Sequence, residues 1–475
     1  MRAPLTAALA LAALPAAAVS PPPPPIMPAP QRDIAAAAAQ VSEAELRRTI
    51  ETLVGFGTRH TLSSRTDPKR GIGAASRWAE ERLKAIGARC GGCIEVTVAS
   101  DRFTGRRIPT PSKVQAILAI QRGTTDPNRV IVISGHIDSR NSNEMDSTGD
   151  APGANDDGSG TAAVLEAARV LSKLKFPATI VYAVLEGEEQ GLYGGKVAAA
   201  YAKAQGWKVE ADLNNDIVGN THGIGGQVDE HTVRVFSEGT KTLETPAEAS
   251  RRRYNGGEVD SPSRQIARYL ADTAEIYTPD FFVRMIYRTD RFGRGGDQTE
   301  FLNQGFPAVR ITEGAENYDR QHQNVRTENG RAYGDVISGV DFPYLARVTR
   351  LNVATAARLA RAPAPPSQVE ISGAVSANTT LKWQAVPGAA RYQVHVRTTV
   401  QSRWINQVEQ DALVTTATSL TLKGTVIDDW FFGVSSIAAD GSESPVVYPG
   451  PAGAFFPEPA GTPPPAAPGT PGGPK

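Results

Sequence analysis

The 475-residue sequence predicts an α/β protein, a mixed, largely parallel sheet flanked by helices, followed by an all-β sandwich. Val/Ile-rich runs at residues 114–120, 130–134 and 179–185 read as strands. Between the second and third, residues 161–174 are apolar nearly all round and read as a buried crossover helix. Strand, helix, strand in that order implies parallel pairing with a right-handed crossover. Beyond residue 362 the periodicity changes to alternation, with turn signals at Pro387-Gly388 and Asp440-Gly441. Short strands at that spacing suggest a sandwich.

Taken in order, the chain opens with Arg2, an apolar stretch over residues 5–18 and the small residues Ala16, Ala17 and Ala18. That layout is an export signal over residues 1–20 and predicts a secreted or periplasmic protein. Residues 21–40, rich in Pro and Ala, read as a linker. A domain over residues 41–361 begins with a capping-box pattern, Ser42 and Glu45, ahead of Leu46, Ile50, Leu53 and Val54. Residues 71–86 carry Ile72, Ala75, Ala79, Leu83 and Ile86 on one helical face. The two cysteines, Cys90 and Cys93, lie in Cys-Gly-Gly-Cys, where a local disulfide is the expectation for an exported chain. Residues 233–236, 282–287 and 308–311 read as further strands, and 263–274 and 344–359 as helices. The sandwich occupies residues 362–450, and the Pro/Gly-rich stretch 451–475 has little with which to build a core, which predicts a disordered tail.

Fifty basic residues balance 50 acidic ones, which gives no electrostatic case for nucleic acid or an anionic membrane as partner. No apolar run after the leader approaches the ~20 residues of a membrane span. The chemistry lies instead in side chains at strand ends. His136 and Asp138 end one apolar run, and Glu188 and Glu189 follow another. Asp156 and Asp157 occupy a Gly-rich turn before a helix, Asp216 follows a short apolar approach, and His322 lies in a polar loop. Ligands bind at the carboxyl ends of parallel strands, and divalent metals favour mixtures of His with carboxylates. Asp138 is placed to accept the second imidazole N–H of His136. Asp157 reads as a helix cap. Adjacent carboxylates such as Glu188 and Glu189 repel unless a cation or proton intervenes. Of six histidines, His60, His222, His231 and His395 have no comparable placement.

The set Gly135-His136-Ile137-Asp138, Asn155-Asp156-Asp157-Gly158, Gly187-Glu188-Glu189, Asn215-Asp216 and His322 resembles the M28 family of zinc peptidases, over about residues 42–360. The resemblance implies a zinc-peptidase/phosphorylase-like three-layer fold and two Zn2+ ions. His136 and Asp216 would hold one zinc, Glu189 and His322 the other, with Asp156 bridging. It makes Glu188 the general base and Asp138 the partner of His136. The segment Gly295-Gly296-Asp297-Gln298 resembles the family's Ser-Asp-His region but has Gly296 and Gln298 at the Ser and His positions, and Arg294 and Asp297 are the substrate-side candidates there.

The implied activity is an exported aminopeptidase acting on peptide N-termini. A carboxypeptidase or dipeptidase would need a cationic pocket, which Arg291 and Arg294 could supply unless they form a solvated basic loop. A single-zinc, glutaminyl-cyclase-like transferase and a non-catalytic binding protein on a peptidase scaffold fit less well, because the ligand positions and the base are all present. The C-terminal region resembles a fibronectin type III domain through Trp383, Pro387-Gly388 and Tyr392. Tethering to a surface or polymer, or shielding of the catalytic domain, are its candidate roles.

Overall fold

The computed structural model describes residues 29–404 and 413–457. The expected export signal, most of the Pro-rich stretch after it and residues 458–475 lie outside the described residues, but the start of the expected tail is ordered, with Pro451–Gly453 in a 3-10 turn and Ala454 and Phe455 buried. The linker expected over residues 21–40 is not wholly a linker. Its second half forms helix α1 (Arg32–Ala38), with Ile34 and Ala37 buried. Alanine is the best helix former, and Arg361 donates to Asp33 at 2.7 Å to fix the helix on the domain.

Helix α2 (Glu43–Gly55) is capped by Ser42, whose side chain accepts from Glu45 N at 3.3 Å. The reciprocal half of the capping box is replaced: Ser42 N donates to Glu166 instead, and Glu45 pairs with Arg82 at 2.9 Å. Helix α3 (Ile72–Arg89) runs into the Cys90–Cys93 disulfide.

The main sheet has the order β1-β2-β4-β3-β5-β8-β6-β7. Its members are β1 (Glu95–Gly105), β2 (Ile108–Gln121), β3 (Asp126–His136), β4 (Ala178–Leu185), β5 (Lys208–Asn215), β6 (Thr232–Phe236), β7 (Phe282–Ile286) and β8 (Ala308–Glu313). β4, β3, β5 and β8 run parallel at the centre, and β2 and β6 pair antiparallel to this block. Helices α4 (Gly158–Leu171) and α9 (Phe342–Arg361) cover one face with Ile131 and Ile133 beneath them. Helices α5 (Tyr193–Ala204) and α8 (Gln298–Asn303) cover the other, over Val130 and Val132. Strict alternation along β3 thus feeds two cores. Helices α6 (Pro246–Asn255) and α7 (Pro262–Tyr277), and the small hairpin β9 (Arg326–Glu328) and β10 (Arg331–Tyr333), complete the domain.

Central strand β5 is poorly visible in the sequence because Glu210, Asp212 and Asn214 interrupt it. All three are buried. Arg129 donates to Glu210 at 2.8 Å, and Ser134 bonds to Asp212 at 2.7 Å and to Asn214 at 3.1 Å. Polar groups fit inside a sheet when so paired.

Among the described residues, the C-terminal region forms two three-stranded antiparallel sheets. One contains β11 (Glu370–Ser372), β12 (Thr379–Lys382) and β15 (Ser419–Leu422). The other contains β13 (Arg391–Thr398), β14 (Val414–Thr415) and β16 (Trp430–Ile437). Trp383 and Tyr392 meet between them, ring centroids 5.3 Å apart.

This unit is bolted to the first domain. Asp260, fully buried, accepts from Arg397 of β13 at 2.6 Å and from Arg268 of α7 at 2.8 Å. Trp404 donates to Gln265 at 2.9 Å. The Ala/Pro-rich connection between the two units is pinned as well, since Ala362 O accepts from Arg129 and Ala364 O from Ser436. Asp260→Ala leaves two buried guanidinium groups uncompensated and is expected to cost about 3–5 kcal/mol, measured by denaturant unfolding of the full chain. A cost below about 1 kcal/mol would show that the cluster is solvated.

Candidate metal centre

Backbone geometry converges on the carboxyl edge of the sheet. His136 is the last residue of β3 and lies level with Leu185 at the end of β4. The turn after β4 carries Glu188 and Glu189, and Asp216 follows β5 directly. Asp157 caps α4 by accepting from Gly160 N at 2.9 Å. It also accepts from His136 N at 3.0 Å and Ile217 N at 3.2 Å, so one buried carboxylate locks two strand ends to one helix start. Its neighbour Asp156 accepts nothing from the helix and is turned towards the histidines.

Asp156 Oδ1 lies 3.3 Å from His136 Nε2, and its Oδ2 lies 2.8 Å from His322 Nε2. Asp216 Oδ1 is 3.8 Å from His136 Nε2, and Glu189 Oε1 is 3.0 Å from His322 Nε2. Among the described residues two groups able to hold a metal result: His136, Glu188 and Asp216, and Asp156, Glu189 and His322. His136 Nε2 and Glu189 Oε1 are buried without a hydrogen-bond partner among the described residues. Orphaned buried acceptors are costly, and imidazole nitrogens with carboxylate oxygens are the donors zinc takes. The residues therefore fit a pair of such ions.

Electrostatics match that fit. Burial pulls the His322 imidazole down, but Glu189 and Asp156 outweigh it and push it up to about 10. His136, although buried, is held well above its usual value by Asp157, Asp138, Asp156 and Asp216. Burial raises Glu188 well above the usual carboxylate range; His136 opposes the rise, while Asp216 and Glu189 add to it. A site this rich in anions binds protons where it is not given cations.

The surrounding residues orient these groups. Asp138 contacts His136 Nδ1 through its backbone O at 3.1 Å and its Oδ1 at 3.4 Å. Its carboxylate also accepts from Thr61 at 2.8 Å and from the amides of Glu188 and Glu189 at 3.3 Å. His322 has φ 54°, in the left-handed region, a conformation that persists where surrounding contacts dictate it. His60 is buried and bonds to Glu144 O at 3.1 Å, outside both groups.

Sequence reasoning overlooked two arginines. Arg310, fully buried in β8, donates to Asp216 Oδ2. Arg140 donates to Glu189 Oε2 at 2.9 Å and contacts His322 Nδ1 at 2.6 Å. Each half of the site thus has a guanidinium on one carboxylate oxygen. The available signal was Arg310 itself, since a charged residue inside an apolar strand run requires a buried partner.

The substrate-side candidates are placed differently from expectation. Asp297 is fully buried and accepts from Gly195 N at 2.9 Å at the start of α5. Arg294 is exposed and lies 3.4 Å from Glu316, which also pairs with Arg291 at 3.4 Å. These arginines therefore have a shared counter-ion of their own.

Residues 116–340 match Peptidase family M28. The chain is similar to a probable zinc metalloprotease of Leptosphaeria maculans, 43% identical over 90% of this chain and 99% of that one. A probable zinc metalloprotease of Pyrenophora teres f. teres is 42% identical over 90% of this chain and 89% of its own length. Among solved structures, the LapA aminopeptidase of Legionella pneumophila superposes with a TM-score of 0.48 at 17% identity, covering 71% of this chain and 78% of that one.

Proposed function

The chain belongs to peptidase family M28, and on that premise we propose that it is an exported dizinc aminopeptidase that hydrolyses the N-terminal bond of peptides. The observation that carries the reading is Asp156, whose two oxygens address two different histidines at 3.3 and 2.8 Å. His136 and Asp216 would hold one zinc, Glu189 and His322 the other, and Asp156 both. When bound, such a pair lowers the pKa of a water towards neutrality and polarises the scissile carbonyl.

The chain's own residues do the rest. Glu188 takes the proton of the attacking water and delivers it to the leaving amine. Asp138 orients the His136 ring and, through the amides of Glu188 and Glu189, shapes the turn that separates base from ligand. Arg310 and Arg140 offset part of the negative charge that would otherwise oppose assembly.

Residues 1–20 are read as the export signal, giving a secreted or periplasmic enzyme. The C-terminal sandwich is read as fibronectin type III-like. The buried Asp260 cluster supports a role in shielding and bracing the catalytic domain. Deleting residues 365–475 would uncover Arg268 and Gln265, so loss of activity in that truncation would report on folding before it reported on tethering.

The test is a panel of peptides with free and acetylated N-termini, assayed with zinc. Cleavage confined to free N-termini is expected. Equal hydrolysis of acetylated peptides would replace the aminopeptidase reading with a carboxypeptidase one.

A further inference from the structure

β1 and β2 form a long hairpin whose pairing with the sheet stops early. β2 pairs with β4 only over Ala116–Gln121, level with Ile180–Leu185. Residues 108–115 of β2, and the part of β1 opposite them, extend past the carboxyl edge where the metal ligands sit. The two-residue turn at the tip is Arg106-Arg107.

The overhang is anchored. Phe103 stacks on Tyr193 with centroids 4.4 Å apart. A side chain at Gly105 would meet the Tyr193 hydroxyl at 2.6 Å, so the strand passes close against α5 there. Arg107 Nη1 donates to Glu189 O at 2.7 Å, and Arg140 reaches the Glu189 carboxylate from the other side. Glu144 pairs with both Arg106 and Arg107. Three guanidinium groups therefore stand beside the metal centre against Glu144 and Glu189, and Glu189 is committed to the metal. Arg107 Nη2 and Arg140 Nη1 make no hydrogen bond among the described residues, and Arg107 Nε is buried without one. Arg106 is 73% exposed, Arg107 30% and Arg140 15%, so the group is open to solvent at the hairpin tip and closes towards Arg140.

We propose that Arg107 and Arg140, with Arg106 at the rim, form an anion subsite that receives a carboxylate of the bound peptide. Guanidinium groups with open N–H positions are the preferred receptor for carboxylates. The carboxylate has two sources: the terminal group of a short peptide, or an acidic side chain beyond the cleaved bond. This subsite rests on the peptidase reading. It also relocates the cationic pocket from Arg291 and Arg294, which share Glu316, to the hairpin tip.

The test compares two pairs of probes on the full chain: Ala-Ala with its C-terminal amide, and Ala-Glu-amide with Ala-Gln-amide. Turnover is measured on the zinc-loaded enzyme and binding by calorimetry on Glu188→Gln. One pair is expected to be discriminated about 10-fold in favour of the carboxylate, as for a hydrogen bond to a charged group, through KM and the binding constant. Discrimination in the first pair identifies the terminal carboxylate, and in the second the side chain.

Arg107→Met should close the gap, and Arg107→Lys should restore part of it. Arg106→Met, at an exposed turn with no bond to a metal ligand, should narrow it with zinc content unchanged. Equal treatment of both pairs, or a gap that survives Arg107→Met, overturns the subsite. Tighter binding of the carboxylate probe without any peptide turnover upholds the subsite and removes the peptidase reading instead.

Discussion

Glu188→Gln is expected to keep both zinc ions and lose turnover by roughly 10²–10⁴-fold, the range for removing a positioned general base. Glutamine preserves the shape of the side chain and removes only its capacity to take a proton. The structure makes this test sharper than the sequence did, because a carboxylate oxygen of Glu188 lies within 4.8 Å of donor atoms on His136 and Asp216. Glu188 is therefore placed either as the base beside one ion or as a third ligand to it. The two roles separate in the metal content. A base leaves the zinc count of the variant at the wild-type value, whereas a ligand takes one ion with it when changed. Cations beside Glu188 would draw its carboxyl back from the value to which burial, with Asp216 and Glu189, raises it, towards the anionic form a base requires.

Stripping the metal is the second large effect. A chelator should abolish hydrolysis, and added zinc should restore it. The same treatment should lower the thermal midpoint, because a ligand that binds only the folded state stabilises it by about 4 kcal/mol at a thousandfold excess over its dissociation constant. The direction of the charge imbalance supports this. Without cations, the carboxylates around His322 hold its imidazole up to about 10, so proton and metal compete for the same nitrogen. Zinc affinity should accordingly fall as the pH is lowered. Full activity in a chelated sample proven free of zinc would remove the metal from the mechanism.

The parts of this architecture that sequence made legible are those in which local pattern and tertiary role agree. The runs ending at His136 and Leu185 are apolar because both of their faces are buried, and their polar ends stand out for that reason. Asp157 could be read as a cap from its position before a helix. β5 was opaque because its buried polar residues find partners on Arg129 and Ser134, which are remote in sequence. Arg310 and Arg140 were overlooked for a related reason, as each acquires meaning only across strands or loops. Asp297 was assigned by motif to a substrate, yet the fold spends it on the amide of Gly195. Composition alone also misled at residues 32–38, where an Ala-rich stretch reads as linker until Ile34 and Ala37 are seen to be buried.

One carboxylate, Asp156, serving two ions is the centre of the proposed chemistry. Elemental analysis of the purified full chain, run together with its peptidase activity, tests this most directly. Two zinc ions per chain, with activity rising only as the second is filled, is the predicted result. Full activity at one zinc per chain would contradict it and would leave Asp156 a terminal ligand in a single-metal site.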